Sequence, residues 1–227
     1  MTISDIALLP ATTLDHETLD ALIDRYKTLR LRALKEDPEA FGSKYEDELK
    51  FPREKWQARI ENPKAHTLIA LENTTSPGAP LQASDNSTLS ALLSRKWVGT
   101  LTMVGPEPVP GSGLGQQELL KLFDSNRSDS CGPEADPSIL AYVLNGMYVL
   151  RESRRAGNGK RLLEEVVDYA RTAGGASGAA QVWLFAFLEV KNRSAVVFYE
   201  KCGFRAWEEE VFLHGRYVWM MEFRITP

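Results

Sequence analysis

The chain has 227 residues, 43% hydrophobic and 26% charged, with 16 Gly, 12 Pro and two Cys. That suits one large domain, or one of about 150 to 190 residues carrying insertions, and excludes collagen-like, disordered and disulfide-scaffold classes. A formal charge of -4 and a pI near 5.5 give no basic footprint for nucleic acid and weakly favour cationic partners. Cys131 and Cys202 cannot staple a secreted fold or build a four-ligand zinc site unaided. No metal is therefore expected, and the simplest location is a reducing one, the cytoplasm, with the nucleus left open. Asp5 and Pro10 interrupt the apolar patch of the first residues, which have no basic n-region, so no secretory signal is read there. Apolar runs are strand-sized, and a soluble protein without membrane contact is expected.

In chain order, Ser4 to Leu9 reads as a short strand ended by Pro10. From Asp15, Leu19, Leu22, Ile23, Tyr26, Leu29, Arg30 and Ala33 recur at helical spacing, which predicts an amphipathic helix stopping before Pro38. Phe51 to Ile60 is a shorter helical segment. His66 to Leu71 and Lys96 to Val104 read as strands. Asn73 to Ser94 carries one charge, Asp85, among Ser, Thr, Pro, Ala and Asn, and is expected to be a flexible loop. Gly105 to Ser138 holds five Pro and five Gly with an apolar fragment, Glu118 to Phe123, and reads as a second insertion. Removing the 22 residues of the first and the 34 of the second from 227 leaves 171, so residues 1–227 are expected to form a single domain with two loop insertions.

The C-terminal part is richer. Ile139 to Leu150 is a strand-like run followed by the turn Arg154-Arg155-Ala156-Gly157-Asn158-Gly159-Lys160. Leu162, Leu163, Val166, Val167 and Ala170 then mark one face of a helix expected to stop at Gly174 and Gly175. Gln181 to Leu188 is a buried strand, Asn192 to Cys202 a helix closed by Gly203, and Tyr217 to Ile225 the last strand. This order is mixed α/β.

A Gly-rich turn opening a helix is an anion site by physics: free N–H groups and the helix dipole converge, and Gly permits close approach. A plain strand-to-helix connection with solvated charges is the alternative. A Walker loop fails because Arg161 follows Lys160 and Arg154 stands where an earlier Gly is needed. A dinucleotide fingerprint fails at Leu162. The remaining spacing, Arg-x-x-Gly-x-Gly, resembles the acetyl-coenzyme A pyrophosphate loop of the GNAT superfamily of N-acetyltransferases. Downstream, Asn192, Ala195, Phe198, Tyr199, Gly203 and Phe204 are similar to that superfamily's Asn-x-x-Ala-x-x-Phe/Leu-Tyr-x-x-x-Gly-Phe helix. Leu31 to Phe41 and the closing strand Tyr217 to Phe223 extend the resemblance.

The resemblance implies a central mixed, mostly antiparallel sheet, splayed between its fourth and fifth strands and flanked by helices. It implies an acyltransferase moving the acetyl group of acetyl-CoA to a primary amine, on a small molecule or peptide, as a monomer or homodimer. Arg154, Arg155, Ala156, Gly157, Asn158, Gly159 and Lys160 would hold the pyrophosphate, mainly through the amides of Arg155, Gly157, Gly159 and Lys160. Met147, Tyr148 and Val149 would line the pantetheine arm, with backbone pairing at Met147 and Val149 and the Val149 amide on the thioester oxygen. Asn192 would contact pantetheine or phosphate, although a helix N-cap is the plain alternative. Ala195 and Phe198 would share its helix face with Tyr199, which would protonate the departing thiolate or else serve as a core aromatic.

An alkyl amine of pKa about 10.4 must lose a proton before attack. The superfamily often has a Glu on the strand before the loop, but here Tyr142, Asn145 and Tyr148 stand there. Tyr142, Glu189, His66, His214 and bulk water are the open alternatives for the base. No Ser–His–Asp or Cys–His pairing is apparent, which favours direct transfer in a ternary complex. A noncatalytic CoA-binding or interaction module, and transfer of a different acyl group, are the rival readings.

Overall fold

The computed structural model describes residues 4–10, 14–73, 85–110, 135–213 and 215–227. Their contacts divide into two compact units, Met1–Met103 with Asn145–Val166, and Val104–Leu144 with Val167–Pro227. The class is mixed α/β, with helices flanking a mixed sheet.

In the first unit, strand β1 (Asp5–Leu8) pairs antiparallel with β2 (Ala65–Leu71), from Asp5↔Leu71 to Leu8↔Leu68. Beside β2 runs β3 (Trp97–Pro110), and beside that β4 (Ala135–Val149). Helix α1 (His16–Glu36) starts where the Asp15 carboxylate accepts from the Thr18 amide at 2.9 Å, and it buries Leu19, Leu22, Ile23, Leu29, Ala33 and Leu34. Those positions form one stripe, as the spacing predicts. The helix ends at Asp37 because Pro38 follows and opens a short 3₁₀ turn. Helices α2 (Tyr45–Glu48) and α3 (Arg53–Ile60) come next. Glu48, whose side chain is 1% exposed, accepts from Arg30 at 2.9 and 3.1 Å and from Arg59 at 2.8 and 3.1 Å. That ion triad ties α1, α2 and α3 together.

The expected first insertion is partly structured. Asp85–Ser94 forms helix α4, with Ala91 and Leu92 buried, while residues 74–84 lie outside the described ones. Leu89, Leu92 and Leu93 are three and four positions apart, a helical signal that the low charge content obscures. Within the second expected insertion, Gly105 to Ser138, β3 continues to Pro110 and β4 begins at Ala135. Pro106, Pro108 and Pro110 alternate, so their missing N–H groups all fall on one edge and the other edge can still pair. Residues 111–134, Cys131 among them, lie outside the described ones.

In the second unit, β4 and β5 (Gln181–Glu189) are parallel from Ile139↔Gln181 to Leu144↔Ala186. Their register ends there. β5 continues alone against β8 (Arg216–Ile225), antiparallel from Val182↔Ile225 to Glu189↔Val218. Short β6 (Arg205–Ala206) and β7 (Val211–Leu213) complete the pairing on β8. Val109, Ala141, Trp183, Phe185 and Met220 form a buried cluster with Ile139, Phe187 and Trp207 against it.

Helix α5 (Asn158–Ser177) does not stop at its glycines but runs to Ser177, with Gly178 at φ +74° following it. A Cβ at Gly174 would lie 2.4 Å from Val182 Cγ2 and 2.9 Å from the Pro227 ring. Gly174 is thus a close-packing residue within the helix rather than its terminator. Helix α6 (Arg193–Lys201) lies between Asn192 at its N-cap and Cys202 at its C-cap.

Candidate functional site

The turn predicted to hold an anion leads from β4 into α5. A 3₁₀ turn, Arg151–Ser153, follows the strand, and the chain then bends through Arg155 at φ +65° and Gly157 at φ +84°. Arg155 is the one non-glycine residue with positive φ among those described, a costly conformation that marks a constrained site. A Cβ at Gly157 would meet nothing within 4 Å, so the turn has open space on that side. Asn158, 3% exposed, donates from Nδ2 to the Ser153 carbonyl at 2.9 Å and straps the turn across its base. The next helical bond is Arg161 N–H to the Gly157 carbonyl at 3.0 Å. The first amides of α5 have no partner along the helix and form the start of a 20-residue dipole, which suits a pyrophosphate.

Val149 stands just before this turn. The following amide, Leu150 N–H, donates to the Val98 carbonyl on β3 at 2.8 Å. Peptide groups alternate along a strand, so the Val149 N–H points away from β3. Further back, Gly146 has φ +65° and breaks the regular pleat two residues beyond the end of the β4–β5 register. Met147 and Val149 are partly buried, and Tyr148 is buried with its hydroxyl donating to Glu36. Burial, then that carboxylate, pushes the Tyr148 hydroxyl above its ordinary range.

Arg154 serves the loop itself. Its Nε donates to the Val149 carbonyl at 2.9 Å, its terminal nitrogen pairs with Asp37, and its Cζ lies 5.7 Å from the Tyr148 ring centre. Arg151 also reaches Asp37, at 3.0 Å, and Arg32 bridges Glu36 at 2.7 Å and Glu152 at 2.8 Å. Burial works to raise the Asp37 pKa, but hydrogen bonds from Arg154 and Arg151 outweigh it and hold the carboxyl low. The Tyr148 hydrogen bond, then Arg32, lowers Glu36. No role was expected for these carboxylates. Two acids at a helix C-terminus oppose its dipole, so Glu36 and Asp37 ahead of Pro38 already imply compensating cations, a usable sequence signal.

The remaining expected site residues belong to the second unit. Asn192 Oδ1 accepts from Ala195 N at 3.1 Å and from the Ser194 hydroxyl at 3.0 Å, the N-cap geometry. Among the described residues nothing accepts from its Nδ2. Ala195 and Phe198 are partly buried. Tyr199 is 3% exposed, with ring centres of Phe198 at 5.6 Å and Phe204 at 5.0 Å, both edge-on. Burial, with a smaller contribution from Cys202, pushes its hydroxyl above the usual tyrosine range.

The possible bases are mostly occupied. Tyr142 is 1% exposed and burial, then Tyr169, pushes it up to about 12. Glu189 pairs with Arg216. His66 is half-buried and desolvation lowers its pKa, which leaves it neutral near pH 7. His214 lies outside the described residues.

Residues 127–206 match the model of the acetyltransferase (GNAT) domain family. No curated protein matches the chain significantly in sequence. Among solved structures, a GNAT-family acetyltransferase from Streptococcus pneumoniae superposes with TM-score 0.52 at 15% identity, over 97% of this chain and 99% of that one. A CoA-dependent acyl-homoserine lactone synthase, solved with SAM and isopentyl-CoA, gives TM-score 0.50 at 14% identity over 96% of this chain and 82% of that one. The BH1408 protein from Bacillus halodurans, as a tetramutant, gives TM-score 0.50 at 13% identity over 92% and 97%. Fold and matched segment together define the class: the chain has the GNAT acetyltransferase fold. The resemblance carried by Arg154–Lys160 and Asn192–Phe204 holds at the level of the whole topology.

Proposed function

We propose that the chain is one acetyltransferase domain with loop insertions that moves the acetyl group of acetyl-CoA to a primary amine by direct attack. The observation that supports this is the turn from Arg154 to Lys160, strapped by Asn158 to the Ser153 carbonyl and open beside Gly157, which leads into a 20-residue helix directly after a strand residue whose own amide points away from β3. Acetyl-CoA supplies the activated acetyl group. The amides of Arg155, Gly157, Gly159 and Lys160 bind its pyrophosphate, Ala156 and Asn158 shape the turn, and Arg154 holds Val149 in place through its carbonyl. Met147 pairs by backbone with the pantetheine arm, alongside Tyr148. The Val149 amide donates to the thioester oxygen as charge builds there. Asn192 caps α6 through Oδ1 and offers Nδ2 to the cofactor, with Ala195 and Phe198 on the same face. Tyr199 keeps its proton at neutral pH and donates it, at least as a hydrogen bond, to the leaving thiolate. The acceptor is an amine on a small molecule or peptide, and the protein works in the cytoplasm as a monomer or homodimer.

The engagement of Glu189 and the burial of Tyr142 favour one rival, a CoA-binding module without turnover. Release of free thiol from acetyl-CoA, followed across polyamines, amino acids, aminoglycosides and peptides, separates the two. Amine-dependent thiol release is expected. Binding without release from any amine supports the module. Gly159→Trp should abolish CoA binding by filling the turn, and normal binding in that variant overturns the loop assignment.

A further inference from the structure

In the first unit a cleft of about 530 Å³ is lined by Arg25, Leu29 and Arg32 of α1, by Lys96 and Trp97 at the start of β3, and by Leu150 after β4. Its volume is that of a small-molecule site, about 300 to 1,000 Å³. Arg95 also lines it, and Asp24 is its one carboxylate.

Three of the four cations have carboxylate partners. Arg95 pairs with Asp5 at 2.9 Å, Arg32 with Glu36 at 2.7 Å and Glu152 at 2.8 Å, and Lys96 loosely with Glu72 at 3.5 Å and Glu152 at 3.8 Å. Arg25 differs. Its terminal nitrogens donate to backbone carbonyls, Leu93 at 3.0 Å and Arg95, and its Cζ lies 5.3 Å from the centre of the Trp97 ring. Among the described residues no carboxylate is bonded to it. Desolvation pushes its pKa below the ordinary arginine value, as it does for a charge drawn partly out of water without a counter-ion. Beside it the wall is apolar, with Leu29 and Leu150 5% and 2% exposed.

We propose that this cleft binds a small organic anion, a carboxylate or phosphate group on a compact apolar body. The anionic group sits between Arg25 and Lys96 and supplies a counter-charge that no described carboxylate bonded to Arg25 provides, while the body lies in the cleft above the floor of Leu29 and Leu150. Lys96 is free to turn toward it because its two existing ion pairs are long and exposed, and such pairs hold weakly. The site shares no residue with the Arg154–Lys160 turn and does not depend on the acetyl-transfer reading.

Calorimetric titration of the full chain with phenylacetate and with phenyl phosphate tests this, with benzyl alcohol as the uncharged control. At least one anion should bind while benzyl alcohol does not, and which one binds distinguishes a carboxylate from a phosphate ligand. Lys96→Met should weaken binding about tenfold, the worth of one charge-assisted hydrogen bond, with an unchanged melting temperature. Arg25→Lys should weaken it similarly, and Gly159→Trp should leave it intact. Arg25→Lys keeps a cation at the end of α4, so folding is preserved. The proposal is overturned if neither anion binds at about 10 mM. It is equally overturned if binding disappears in Gly159→Trp but survives both cleft variants, because the anions are then in the cofactor turn.

Discussion

Glu48 shows how one buried charge is kept. Burial alone would raise its pKa, but hydrogen bonds from Arg30 and Arg59 prevail and hold it at about 2, against an ordinary value of 4.5. A pKa depressed in the folded state stabilises the fold above the unfolded value, and that contribution is lost as pH falls from about 4.5 toward 2. Glu48→Gln should lose about 3 kcal/mol at pH 7, since it strands two guanidinium groups. The gap between the urea midpoints of the two proteins should narrow below pH 4.5 and close as pH falls toward 2; a constant gap would disprove the ion-pair account. Tyr199 poses the opposite case, a buried hydroxyl whose raised pKa makes it a reluctant acid. Tyr199→Phe keeps the edge-on packing with Phe198 and Phe204. It should lower kcat about 100-fold, the low end for general-acid help because a thiolate leaves readily, with little change in CoA affinity. Stopped-flow thiol release set beside equilibrium CoA binding separates those two quantities.

At the level of elements, Asn192 caps α6 and is proposed to hold the cofactor as well, and a substitution can separate the two. Asn192→Asp retains the acceptor for the Ala195 amide and removes the Nδ2 donors, so thermal stability should persist while CoA binding weakens. Asn192→Ala removes both, and should in addition cost about 1 kcal/mol in denaturant titration. Equal CoA affinity in wild type and Asn192→Asp would confine Asn192 to capping. The elements themselves were legible where periodicity and breakers agreed: α1 begins beside Asp15 and ends before Pro38, and β5 and β8 fall within a residue of their expected limits. Legibility failed where composition suggested a loop but spacing did not, as in α4, and where Gly174 was read as a stop instead of a contact with Val182 and Pro227. Tertiary packing decided both.

For the whole molecule, cofactor binding is a stability measurement. If acetyl-CoA binds only the folded chain, a concentration of one hundred times Kd should raise unfolding free energy by about 2.7 kcal/mol, and by nothing in Gly159→Trp. The turn into α5 and the start of α6 were readable as backbone features because Gly157 at positive φ and an Asn N-cap are residue types that such local geometry selects. The carboxylate–guanidinium web of Glu36, Asp37, Arg151 and Arg154 was not, since its partners lie more than a hundred positions apart in sequence. One consequence of the strand order remains. β5, whose run Val182–Leu188 is uncharged and rich in aromatic residues, is flanked in the fold by β4 and β8. During synthesis β4 has already emerged when β5 leaves the ribosome, but β8 has not. Until Arg216–Ile225 follows, one hydrogen-bonding edge of this uncharged, aromatic strand has no partner strand and is open to other nascent chains, which makes the interval between β5 and β8 an aggregation hazard of synthesis.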